Sequence, residues 1–192
     1  MTDSSSVTLG MAGLGRMGAN IVRRAMKAGI SCVVYDPRPE AVADLVAEGA
    51  VGSSSLAEFA AALPAPRTAW VMVPAGTITE DVVGQLIDLL SDGDTIIDGG
   101  NSYYRDDMRR GAAAAAKGID YVDVGTSGGV WGLERGYSLM IGGPDRSVDR
   151  LRPLWDAIAP GVDAAERTPG RTGDPAPEEH GWLHCEIGRA HV

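Results

Sequence analysis

The chain has 192 residues, 44% of them apolar, enough for one domain with a full core and a fragment of a second. Its 26 acidic and 17 basic side chains leave a net charge of -9, which disfavours a general affinity for nucleic acid or for an anionic membrane surface. The two cysteines, Cys32 and Cys185, suggest no disulfide framework, no apolar run approaches a membrane span, and MTDSSS lacks the regions of a signal peptide, so a cytoplasmic protein is expected.

Val7–Ala12 reads as a short strand, followed at once by Gly13-Leu14-Gly15-Arg16-Met17-Gly18. Beyond it Ile21, Val22, Ala25 and Met26 are apolar while Arg23, Arg24 and Lys27 are not, the period of an amphipathic helix that Gly29 ends. Ser31–Tyr35 is a second strand, closed by Asp36. Pro37 and Pro39 break it, and a helix over Pro39–Glu48 completes a βαβ unit. Ser53, Ser54 and Ser55 precede a third helix, with Glu58 in capping-box spacing from Ser55, and Pro64 and Pro66 stop it. The apolar run Thr68–Val73 is predicted to be a central parallel strand, buried on both faces, with Pro74-Ala75-Gly76 as its turn. A helix over Thr79–Leu90, a strand over Thr95–Asp98, a helix containing the alanine run Ala112–Ala116 and a strand over Ile119–Val124 follow. After the glycine-rich Gly125–Gly129 come a strand over Tyr137–Ile141 and a helix over Val148–Ile158. This alternation predicts an α/β fold over residues 1–167: a Rossmann-type doubly wound, mostly parallel sheet with helices on both faces. Thr168–Glu179 is rich in Pro, Gly and charge and reads as a linker.

The glycine triplet sits where a strand turns into a helix, the context in which G-x-G-x-x-G carries meaning. Gly13 permits the tight turn, Gly15 lets a pyrophosphate approach the backbone, and Gly18 lets the helix pack on the strand. The helix amides and dipole then face the phosphates. The alternative is a βα turn without a ligand. Asp36, about 20 residues on at the end of the second strand, suits the ribose hydroxyls of NAD and would repel the 2′-phosphate of NADP. It can also be a plain turn residue before Pro37. Arg38 could meet a 2′-phosphate, but it follows a proline break and is expected to be mobile. His180 and His184 have helical spacing beside Cys185, yet no acidic ligand supports a metal site and Gly181 favours a loop, so no metal is expected.

Three stretches, GLGRMGANIVR, IIDGGNSYYRDDMRR and YVDVGTSGGVWGLERGYSLMIGG, carry a family resemblance. From Val7 to about Cys185 the chain resembles the amino-terminal half of the decarboxylating 6-phosphogluconate dehydrogenases in their shorter bacterial form. The β-hydroxyacid dehydrogenases share the glycine loop and differ around the Ser-Gly-Gly loop. The resemblance implies a metal-free step of the pentose phosphate pathway: 6-phosphogluconate gives a hydride to the nicotinamide, then loses carbon dioxide to yield ribulose 5-phosphate. It implies a pyrophosphate cradle of Gly13, Leu14, Gly15, Arg16, Met17 and Gly18, and a nicotinamide-side lining of Val73, Pro74 and Ala75. Asn101 is to contact both cofactor and substrate, and Ser127, Gly128 and Gly129 are to bind the sugar acid. The last three can also be a simple turn. A homo-oligomer is implied for the full-length protein.

Two departures matter. Where NADP-using members carry Asn-Arg-Thr after the second strand, this chain has Asp36-Pro37-Arg38, which favours NAD over NADP. The family also continues past a His-Cys like His184-Cys185 with a helix that bears a catalytic lysine, the base toward the C3 hydroxyl, and a glutamate that assists protonation of the enediol. Here no lysine lies beyond Lys117, so no catalytic residue is assigned. On this resemblance, residues 168–185 are expected to be a linker and the start of a truncated helical domain. Glu186–Val192 back-translates to a stretch resembling a common sequencing adapter, so 186–192 is expected to be a non-native tail. The competing expectations are a β-hydroxyacid dehydrogenase NAD-binding domain and a stand-alone NAD-binding module.

Overall fold

In the computed structural model, which describes residues 7–187, the first strand, β1 (Thr8–Ala12), lies inside an eight-stranded sheet. Its side chains divide between two cores. Leu9 and Met11 join Ile21, Val22 and Ala25 of helix α1 (Arg16–Lys27). Gly10 faces the other side, where an added Cβ would lie 2.7 Å from Phe59 and 2.8 Å from Leu63, so the missing side chain is what lets helix α3 (Leu56–Ala62) close on the sheet.

Strands β2 (Ser31–Tyr35) and β3 (Val51–Gly52), with helix α2 (Pro39–Ala47) between them, extend the sheet on one side of β1. On the other side stand β4 (Thr68–Val71), β5 (Thr95–Asp98) and β6 (Asp120–Ser127), separated in sequence by α4 (Thr77–Leu89) and α5 (Tyr104–Ala115). These six strands are parallel, as the Rossmann-type reading expects. Helix α6 (Gly132–Arg135) then leads into β7 (Ser138–Gly142), which runs antiparallel to β6. Helices α3, α4 and α5 cover one face; α1 and α8 (Arg152–Ile158) cover the other, where Trp155 meets Trp70 edge-on at 5.8 Å.

One predicted helix divides, and two short strands join the predicted ones. The helix predicted over Val148–Ile158 is two helices, α7 (Asp145–Arg150) and α8, meeting at Leu151, because Pro153 is tolerated only in the first turn of a helix. The two residues of β3 are too few to show a period of their own. Within residues 168–185, expected to be a linker and the start of a further domain, the chain adds a strand to this sheet. After the short α9 (Pro177–His180), residues Trp182–Cys185 form β8, which pairs parallel to β7 and is the last strand of the sheet. Trp182 is buried in the first core, and its indole N–H donates to Asp156 at 2.8 Å. The preceding linker is tied back by Arg167 on Glu179, at 2.6 and 3.0 Å. Beyond β8, Ile187 packs against the second core, while residues 188–192 of the expected tail and the MTDSSS segment lie outside the described residues. Among the described residues no helix is long and apolar enough to cross a membrane.

Helices α4 and α5 are joined by charge. Glu80 accepts from Arg109 at 2.6 and 2.7 Å and from Arg110 Nε at 3.0 Å. The Arg109 guanidinium foremost, and Arg110 with it, hold the Glu80 carboxyl at about 2, below its ordinary 4.5. The folded value is the lower one, so this tie stabilises fully above about pH 4.5 and is lost as pH falls toward about 2. Glu80→Gln should flatten the decline of thermal stability in that window, modestly because the group is partly exposed. Melting curves across the acid range check it; an unchanged acid slope would show the tie to be inert.

Candidate dinucleotide site

The chain crosses from β3 on one side of β1 to β4 on the other, so a crevice opens beyond the carboxyl ends of β1 and β4, the usual ligand position in such sheets. The glycine loop sits in it. Gly13 donates its N–H to Tyr35 O at 2.8 Å and has φ +102°, which L side chains rarely adopt; an added Cβ would also collide with the Met72 carbonyl. A Cβ on Gly18 would collide with the Gly13 carbonyl. Both glycines are therefore needed to build the loop. Gly15 is different. It is exposed, nothing lies within 4 Å of an added Cβ, and it caps α1 with no side-chain hydrogen bond. The first turn of α1 contains no acid, so its uncapped amides and dipole face open space. A loop rigid beneath and vacant above fits a diphosphate.

The loop divides the crevice into two cavities, each of about 440 Å³, within the range of small-molecule sites. One is lined by Tyr35, Asp36, Leu56, Ile78, Val82 and Gln85; the other by Arg16, Gly99, Gly100, Asn101 and Thr126. Gly15, Met72, Val73 and Pro74 border both. Gly13 also lines the first cavity, Met17 and Gly18 the second. Leu14 lies buried beneath the loop. Ala75 is exposed on its turn, and Ser127, Gly128 and Gly129 follow directly on Thr126; these four line neither cavity. Leu56, Met72, Ile78, Val82 and Gln85 are not named as site residues in the sequence reading. Ile78, Val82 and Gln85 share a helical stripe on α4 that could have marked them, but their period also suits a plain core face.

Asp36 is buried and already engaged. Its Oδ2 accepts the Leu14 N–H at 2.7 Å, and its Oδ1 accepts the Arg38 N–H at 3.0 Å and Arg38 Nε at 2.9 Å. Burial alone would raise this carboxyl, but the Arg38 guanidinium and the two amides outweigh it and hold it below the ordinary value. The Arg38 side chain lies on Asp36 and reaches Leu14 O at 3.4 Å, although its outer half is exposed. Nothing in the proline-flanked sequence reveals that seat, which depends on the fold of the glycine loop.

The Asn101 loop is fixed from beneath. Gly99 donates its N–H to Val71 O at 3.0 Å and lies so close to the Trp70 indole that an added Cβ would collide with Nε1. Asp98 accepts Gly100 N–H at 2.9 Å and Ser102 Oγ at 2.8 Å, leaving Asn101 exposed at the crevice. Elsewhere, α9 ends at His180, and His184 lies in β8 with Nε2 2.9 Å from Gly143 O, so the two rings do not share a helix face.

Residues 8–165 match the family described as the NAD binding domain of 6-phosphogluconate dehydrogenase. The chain belongs to this family. It is 42% identical over 155 residues to the NAD(+)-dependent, decarboxylating 6-phosphogluconate dehydrogenase of Haloferax volcanii, a match covering 81% of this chain and 51% of that one. The Plasmodium falciparum 6-phosphogluconate dehydrogenase, solved in its apo form and in complex with NADP+ and with 6-phosphogluconate, superposes with a TM-score of 0.77 at 25% identity, over 83% of this chain and 35% of that one. The 3-hydroxyisobutyrate dehydrogenase of Mycobacterium tuberculosis superposes with a TM-score of 0.79 over 96% of this chain and 56% of that one; at 24% identity it shows a shared fold. The chain thus spans about half the length, or less, of these relatives.

Proposed function

We propose that this chain is the nucleotide-binding half of an NAD-preferring 6-phosphogluconate dehydrogenase, inactive by itself, whose full-length form is a cytoplasmic homo-oligomer. The reading is carried by Gly15: an uncapped helix start with open space above a loop that Gly13 and Gly18 make rigid. NAD, when bound, supplies the nicotinamide that accepts a hydride. The amides of Arg16 and Met17 would hold its pyrophosphate, and the Arg16 cation at the loop's mouth would add attraction. Asp36 would take the adenosine ribose hydroxyls. Leu56, Ile78 and Val82 offer an apolar slot for the adenine ring, with Gln85 as a hydrogen-bonding end. Val73, Pro74 and Ala75 would border the nicotinamide, Asn101 would touch both cofactor and sugar acid, and Ser127, Gly128 and Gly129 would receive 6-phosphogluconate from the rim. Sequence favours this substrate over a β-hydroxyacid: 42% identity to the Haloferax volcanii enzyme against 24% to the 3-hydroxyisobutyrate dehydrogenase.

Calorimetric titration with NAD tests the reading. Gly15→Val places its side chain in open space, so it should fold like the parent and lose NAD affinity by about tenfold or more. Retained affinity in a folded Gly15→Val protein would show that the diphosphate does not lie on this loop.

A further inference from the structure

Behind the Asn101 loop lies a buried charge cluster with no part in the scheme above. Asp98, fully buried at the end of β5, gathers four donors: Gly100 N–H on Oδ1, and Ser102 Oγ at 2.8 Å, Tyr121 Oη at 3.0 Å and Arg110 Nη1 at 3.3 Å on Oδ2. Arg110, itself buried on α5, also donates to Ser102 Oγ at 3.3 Å. The Tyr121 hydroxyl is 3.2 Å from a second buried carboxyl, Asp107 Oδ1, but has a single proton to give. Asp107 Oδ2 is buried with no hydrogen-bond partner among the described residues. Asp123 of β6 brings a third buried carboxyl to the cluster.

Two buried carboxylates share the Arg110 guanidinium, and a third, Asp123, is close enough to act on Asp107; out of water, such an arrangement binds a proton. Burial first, then the charges of Asp98 and Asp123, push Asp107 up to about 7. With its proton in place, Asp107 donates to the Tyr121 oxygen and Tyr121 donates to Asp98. Without it, Asp107 becomes a second acceptor for the one Tyr121 hydrogen. It also competes for Arg110, whose Nη1 is 3.7 Å from Asp107 and 3.3 Å from Asp98. Either exchange removes a donor from the residue that pins Gly100 and Ser102.

We propose that Asp107, Tyr121, Asp98 and Arg110 form a positioning relay for the Asn101 loop, which holds the loop in its nucleotide-binding shape while Asp107 carries a proton and loosens it when that proton leaves. The proposal rests on the reading that the Asn101 loop contacts the bound nucleotide. The groups facing Asp107 are Asp98 from β5, Tyr121 and Asp123 from β6 and Arg110 from its own helix, with Glu80 of α4 on the far side of Arg110.

The test is calorimetric titration of NAD into the full chain at about pH 6 and about pH 8.5, either side of the Asp107 transition. Wild type should bind about threefold or more weakly at the higher pH, and Asp107→Asn, which keeps the shape but cannot ionise, should bind equally at both. Tyr121→Phe, which breaks the relay without adding charge, should bind about tenfold more weakly than wild type at the lower pH. Melting curves identify any variant that fails to fold, and Tyr121→Phe decides the matter should Asp107→Asn do so. The same pH slope in wild type and Asp107→Asn, or wild-type affinity in Tyr121→Phe, would overturn the relay. Absence of NAD binding by wild type at both pH values would instead overturn the nucleotide-site reading, and the relay with it.

Discussion

Residues 1–192 should produce no measurable NADH from 6-phosphogluconate. The crevice has cation and amide groups for binding, but its titratable residues are poorly placed to move a proton. Asp36 lies in the first cavity with its oxygens engaged by Arg38 and the Leu14 amide, while Asn101 and Thr126 in the second are not bases at neutral pH. Lys117 follows the end of α5, where the chain turns into the start of β6, at the sheet end opposite the crevice, and is paired with Asp88 at 2.6 Å. Lys27 closes α1 at that same opposite end. A general acid or base typically contributes a factor of about 10² to 10⁴, so a crevice with neither would run slower by about 10⁴ to 10⁸. Absorbance assays at high protein concentration, with NAD and with NADP, check this. Sustained turnover by pure protein would mean that a proton-transfer group within these residues has been overlooked.

The second large effect concerns cofactor choice. NAD should bind about tenfold more tightly than NADP, and the Asp36–Arg38 pair should set that ratio. Arg38 and two amides fill the four acceptor positions of the carboxylate, so ribose hydroxyls must first displace the guanidinium. The Arg38 side chain is 56% exposed, so displacing it costs little. Once displaced, it would stand near a 2′-phosphate and offset part of the repulsion from Asp36. Arg38→Ala should therefore widen the gap, improving NAD and weakening NADP. Asp36→Asn should narrow or invert it, by removing the repelling charge and releasing the arginine. Titration of the parent and both variants with the two nucleotides decides the point. Equal affinities in the parent, unchanged in Asp36→Asn, would show that neither residue reads the ribose.

The parts of this molecule that were legible in the sequence are those whose cause is local. Gly13, Gly15 and Gly18 follow a strand and open a helix, so backbone shape and spacing alone announce the turn. The apolar run from Thr68 announces a strand buried on both faces, as β4 is. What stayed hidden depends on partners distant in sequence. Trp182–Cys185 becomes a strand because β7 presents an open edge to it, and four residues after a proline-rich linker carry no period of their own. The seat of Arg38 requires Leu14, and the grouping of Asp98, Asp107 and Asp123 requires β5, β6 and α5 to meet; in sequence each is simply one more acidic residue. Ser127, Gly128 and Gly129 were named through resemblance, and their place beside the crevice rather than in it follows from the length of β6.

That length has a consequence for the medium in which a ligand would sit. Asp98 at the end of β5 pairs with Asp123, yet β6 runs on to Ser127 and is still paired there with Ser138. The ladder of β6, β7 and β8 thus stands proud of the rim on one flank, while Arg16, Pro74, Ala75, Asn101 and Ser127 around it are exposed. A sugar phosphate leaning on this parapet would keep its far side in bulk solvent, where two unit charges 4 Å apart attract by only about 1 kcal/mol, against several times that in a dry pocket. Its grip would be dilute, quickly exchanging and sensitive to ionic strength. Tight capture of a sugar acid there would need a second surface to drain the water from the other flank.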